Sequence, residues 1–82
     1  MIYKYELKCD IITIPHDSRF LRSSIDDKYF YIELGTHPSI QYMIYFVGTG
    51  WPEDTSDDHY ITSTKDGDYV WHWFAKDLNL SS

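Results

Sequence analysis

IQYMIYFV, residues 40–47, is apolar at nearly every position, and the way this run is read decides the fold. Breakers bound it on both sides, Gly35-Thr36-His37-Pro38-Ser39 before it and Gly48-Thr49-Gly50 after it. Short apolar runs between such punctuation, rich in β-branched and aromatic residues, form strands, and this one is expected to be central and covered on both faces.

Upstream of it, IYKYELK at residues 2–8 alternates, with Tyr3, Tyr5 and Leu7 on one face and Lys4, Glu6 and Lys8 on the other, which predicts a half-buried strand. IITI at 11–14 reads as a second strand stopped by Pro15, whose missing N–H is tolerated at a strand end. After the turn His16-Asp17-Ser18, FLRSSI and YFYIEL form a hairpin about Asp26-Asp27-Lys28. Downstream, HYITST at 59–64 and YVWHWFA at 69–75 flank Asp66-Gly67, a pair with the backbone freedom of a hairpin turn. In the last segment Trp71 and Trp73 face one way, while His72 faces the other with Val70 and Phe74. No window shows a 3.6-residue period with caps, and the connections suit consecutive neighbours. The expectation is an all-β chain, a small antiparallel meander of six or seven strands forming a barrel or a two-layer sandwich, with residues 1–82 as one domain.

Composition narrows the function classes. Aromatic residues make up 18% of the chain, including eight tyrosines and three tryptophans, so rings supply the buried area that a short chain otherwise lacks. Thirteen acids against seven bases give a net charge of −6, which repels phosphate backbones and anionic membranes and predicts no direct nucleic-acid or membrane binding. Cys9 is the single cysteine, so an intrachain disulfide and a cysteine-based zinc cluster are excluded. A reducing, intracellular setting is expected. The start of the chain has no signal-peptide pattern, and no apolar run approaches the ~20 residues that span a bilayer.

Several constellations invite a chemical reading, each beside a plainer one. Gly48, Thr49 and Gly50 allow close backbone approach to a ligand, and Trp51 beside them offers a stacking surface; the plainer reading is a strand end with Trp51 folded back on the core. Glu53, Asp54, Asp57 and Asp58 resemble a cation loop in composition only. They match no EF-hand spacing, and a solvated acidic rim or a partner-binding face is expected instead. Histidines 16, 37, 59 and 72 form no paired-ligand motif, so no metal and no cofactor is expected. No nucleophile elbow and no cysteine–histidine signature is present, so the chain is expected not to be an enzyme. Arg19 and Arg22 are the local counter-charges for any anionic small molecule, and otherwise neutralise nearby carboxylates.

The pieces IYKYEL, IITIP, FVGTGWP, YIT and YVWHWF together resemble a family of small, largely phage- and prophage-encoded proteins of uncharacterised function, in order along most of the chain. The family pattern often carries histidine where Trp51 stands. The resemblance implies a viral origin, a compact non-enzymatic domain and action in the host cytoplasm during counter-defence. Two binding classes follow. The preferred one is a homo-oligomer that sequesters a nucleotide-derived immune signal through Arg19, Arg22, His37, Gly48, Thr49, Gly50 and Trp51, with Arg19, Arg22, His37 and Trp51 meeting across a protomer or a two-fold interface. The alternative is an inhibitor whose acids Glu53, Asp54, Asp57 and Asp58, with Asp26 and Asp27, dock a basic host defence protein, an acidic face that can imitate nucleic-acid charge. The loop after Gly48 is expected to be a recognition rim, ordered at its glycine end and mobile at its acidic end.

Overall fold

The computed structural model describes residues 1–21 and 28–79 and contains seven strands among them: β1 (Ile2–Glu6), β2 (Asp10–Pro15), β3 (Arg19–Leu21), β4 (Tyr29–Glu33), β5 (Ser39–Gly48), β6 (His59–Asp66) and β7 (Tyr69–Asp77). Every ladder is antiparallel. Sheet A has the order β1-β4-β3 and sheet B the order β2-β5-β7-β6, and the two stack into an open two-layer sandwich. Among the described residues no helix is long and apolar enough to cross a membrane.

The connections depart from a simple meander. Only β3–β4 and β6–β7 are sequential neighbours, while β1 pairs β4, β2 pairs β5 and β5 pairs β7. Each of the short links 7–9, 16–18 and 34–38 carries the chain from one sheet to the other. The β3–β4 ladder agrees with the hairpin expected there. Its turn residues Asp26 and Asp27, like Arg22, Ser23 and Ile25, lie outside the described residues. At the other hairpin Asp66 pairs Tyr69, and Gly67 has φ 61°, the left-handed conformation that glycine adopts without a Cβ clash.

The alternation read in β1 is the one the fold uses. Tyr5 and Leu7 pack against the core, whereas Tyr3, nearer the open end, remains exposed. Between the sheets lie Ile14, Phe30, Ile32, Tyr42, Ile44, Ile61, Trp73 and Ala75. Phe20 joins the layers, its ring 6.4 Å from Phe30 in sheet A and 5.5 Å, edge-on, from Tyr42 in sheet B. Burial at the centre is complete, with Phe30, Ile32 and Ala75 at 0% exposure.

One expectation about β5 requires correction. The strand is central, but its second face is covered only in part: Tyr42 and Ile44 are buried on one face, while on the other Gln41 and Met43 are exposed and Val47 is buried. Sheet A packs on one side of sheet B only, and an antiparallel sheet can leave its other face in water. That face is partly closed by its own rings, Tyr45 stacking on Phe74 at 5.8 Å and Tyr60 meeting Phe74 edge-on at 5.7 Å.

Topology also accounts for the long connection at residues 49–58. Strands β5 and β6 both flank β7 and therefore run parallel. The chain must cross two strand spacings, ~10 Å, and return four ladder positions, ~13 Å, from the level of Trp71 to that of Ala75. A tight turn is too short for that path.

Candidate functional site

The glycine end of this crossover builds the most exposed ring cluster of the molecule. Gly48 closes β5 opposite Trp71, and a Cβ there would stand 2.5 Å from Nε1 of Trp51, so any side chain displaces that indole. Thr49 N–H donates to Val70 O at 3.3 Å and Trp51 N–H to Gly48 O at 3.1 Å, with Gly50 between them at φ 87°. The backbone thus turns Trp51 back over the sheet, 6.3 Å from Phe46 and 5.6 Å from Trp71. Trp51 stays 50% exposed, and Tyr69, stacked on Trp71 at 5.9 Å, is 68% exposed. The fold-back of Trp51 and a water-facing ring surface are both realised.

Asp66 lies opposite Tyr69 in the β6–β7 ladder, on the same face as these rings. Glu53 and Asp54 follow Trp51 in the chain and act, with Asp58, on the Tyr45 phenol of the opposite face of sheet B. The acidic end of the crossover is held as well as its glycine end. Asp54 accepts from Ser56 N–H at 3.1 Å and from the Ser56 hydroxyl at 2.8 Å, bonds that lower its pKa. Asp58 N–H donates to Thr55 O at 3.0 Å, and the Asp58 carboxylate accepts the Tyr45 phenol. Burial, and after it the Asp58 carboxylate, push the Tyr45 phenol well above its ordinary value.

On the opposite face of sheet B a polar chain runs through His72, whose Nδ1 lies 2.8 Å from Ser63 Oγ and whose Nε2 lies 2.9 Å from Thr49 Oγ1. Tyr60 OH is 2.6 Å from the same Ser63 Oγ. A serine beside a histidine suggests a nucleophile and its base. Here the second ring nitrogen is taken by a threonine hydroxyl, where a hydrolytic triad places a carboxylate, and Ser63 is already engaged by Tyr60. The chain ties β6, β7 and the crossover together, with His72 bonded to a neighbouring strand and to the crossover. The sequence reading did not find Ser63 and Tyr60. Strict alternation puts them on opposite faces, and a bulge at Ile61, between Tyr60 and Thr62, brings them to one.

Of the expected cationic residues, His37 lies just before β5, ~30 Å from Gly48 along the ten residues of that strand, and Arg19 lies on β3 in the other sheet. Arg19 pairs with Glu33, its ladder partner, at 3.7 Å. His37 Nδ1 lies 2.7 Å from Asp17 Oδ2, and the Asp17 carboxylate also accepts Thr36 N–H and His37 N–H, each at 3.1 Å. Asp17 therefore pins the β4–β5 turn. Arg22 lies outside the described residues. Within one copy of the chain the sequence-predicted ligand residues thus divide into two groups, Gly48 to Trp51 at one end and Arg19 with His37 at the other. Among the described residues no group of three or more histidine, cysteine or acidic side chains is arranged to hold a metal ion. An open pocket of about 290 Å³ beside edge strand β2 is lined by Cys9, Ile11, Met43 and Tyr45 among others.

The Asp17 anchor makes stability pH-dependent. The hydrogen bond from His37, then that from the Thr36 amide, hold its carboxyl well below the usual value of 3.8. A depressed folded-state pKa contributes stability that is complete above the unfolded value and is lost as pH falls below it. The urea midpoint of the wild type is expected to drop more steeply below about pH 4 than that of Asp17→Asn. Equal slopes would show that this carboxylate does not anchor the turn.

Compared with known proteins, the chain matches the family model described as Domain of unknown function (DUF7352) over residues 1–80, and it belongs to that family. No curated protein and no solved structure matches it.

Proposed function

We propose that this chain is a non-enzymatic binding protein of phage counter-defence, which occupies a basic surface of a host protein in the host cytoplasm with the ring-bearing, acidic end of sheet B. One observation carries the reading. Half-exposed Trp51 and exposed Tyr69 share a sheet face with Asp66, in a chain of net charge −6 whose crossover adds Glu53 and Asp54 after Trp51. Interface centres favour tryptophan and tyrosine, and a charged rim steers an oppositely charged partner and sets its register. The counter-defence setting comes from the resemblance.

A second reading, sequestration of a nucleotide-derived signal by a homo-oligomer, is favoured by the same rings, on which a base can stack. It requires phosphate-binding cations from another copy, because Arg19 and His37 are remote from the rings and paired with acids. A thermal-shift screen against cyclic di- and trinucleotides and ADP-ribose derivatives separates the two. A ligand at a hundred times its dissociation constant adds about 2.7 kcal/mol of stability. The docking reading expects no shift, together with co-purification of a basic host protein from infected cells whose retention falls with salt and with Glu53→Gln/Asp54→Asn/Asp57→Asn. Retention that ignores those substitutions would remove the docking reading, and a nucleotide shift would replace it with the second.

A further inference from the structure

We infer that Trp51, Trp71 and Tyr69 form a corner that binds a guanidinium group, the side chain of an arginine in a basic peptide segment. This rests on the docking reading above and names the group that is docked.

The geometry is that of two walls. Trp71 and Tyr69, two residues apart on one strand face, lie with planes 17° apart, and Trp51 stands at 76° to Trp71. Phe46, 5.1 Å from Trp71, closes the corner from below. Trp51 is already positioned by its backbone bond to Gly48 and by the space Gly48 leaves for the indole, so little ordering is required on binding. Large rings left in water at 50% and 68% exposure forgo burial that the same residue types obtain elsewhere in this fold.

Charge selects among the flat groups that stack on such rings. Ring faces carry the negative side of the aromatic quadrupole and attract cations. Asp66 lies opposite Tyr69 on the same sheet face, and Asp68 precedes Tyr69 in the hairpin turn. The lysine of this hairpin, Lys65, pairs with Val70 and so projects from the other face of the sheet. A nucleotide would bring its phosphates to these carboxylates, whereas a guanidinium meets only favourable partners. Arginine is also distinguished from lysine here. Its planar, weakly hydrated head can stack on a ring while its N–H fork engages a carboxylate, and an ammonium is a compact, strongly hydrated point charge.

The test titrates the full chain with two short capped peptides, identical except that one carries arginine where the other carries lysine, read by tryptophan fluorescence and calorimetry at low and moderate salt. The arginine peptide is expected to bind roughly tenfold more tightly than the lysine peptide. Tyr69→Ala, at so exposed a position, is expected to keep the melting temperature and to erase the preference, and Tyr69→Phe to retain it. Asp66→Asn should weaken both peptides. Equal, salt-sensitive affinities for the two peptides would overturn the inference and leave the docking reading standing. An arginine preference that survives both Tyr69→Ala and Trp51→Ala would also overturn it, by placing the site elsewhere. If neither peptide binds, both readings fall together.

Discussion

Replacing Phe30 with alanine is expected to cost about 3–5 kcal/mol of folding free energy, the usual range for emptying a fully buried aromatic site. Phe30 has 0% exposure and is enclosed by Tyr5 at 5.7 Å and Phe20 at 6.4 Å. Phe20 in turn meets Tyr42 and His59 of sheet B, at 5.5 and 5.4 Å. The ring therefore lies where the three-stranded sheet grips the four-stranded one. Its loss removes apolar burial and also leaves a void that flat strands on both sides cannot collapse to fill. A chain of 82 residues has about 4–12 kcal/mol of total stability at the usual ~0.05–0.15 kcal/mol per residue. The substitution thus takes about a quarter of it or more. Urea unfolding measures the loss, and a cost below about 1 kcal/mol would mean that the two layers do not pack through this ring.

The second large effect separates two tryptophans on one strand face. Trp73→Ala is expected to cost about 3–5 kcal/mol and Trp71→Ala clearly less. Trp73 is 9% exposed, packs 5.0 Å from Phe46 and donates its indole N–H to Thr64 Oγ1 at 3.0 Å. Removing it opens a cavity and strips Thr64 of that partner. Trp71 is half-buried and belongs to the rim with Trp51 and Tyr69. Its truncation is expected to show mainly in binding. Equal stability losses for the two variants would place Trp71 in the core and weaken the corner as a recognition surface.

Much of the secondary structure was legible along the chain. The alternation of IYKYE, the halt at Pro15, the Asp66-Gly67 turn and the opposed faces of Trp71-His72-Trp73 all correspond to observed features. Of the candidate site, the turn from Gly48 to Trp51 was legible, because glycine spacing next to a tryptophan constrains the local backbone. Its continuation across to Tyr69 and Asp66 was not, since those residues arrive from a different hairpin. Arg19 and His37 were grouped with Trp51 as parts of a site shared between copies, and within one copy the ten-residue length of β5 separates His37 from Trp51.

What the sequence by itself determined is therefore which segments are strands and which side chains share a face, because a two-residue period and the φ demands of glycine and proline act within a few residues. The tertiary structure alone decided the allocation of strands to two sheets, the parallel placement of β5 and β6 that makes their connection long, and the Ile61 bulge that puts Ser63 beside Tyr60 and His72. Those outcomes depend on which distant ladder each strand joins. That choice is set by burying Phe30, Ile32 and Trp73 between two layers, a condition that no local window contains.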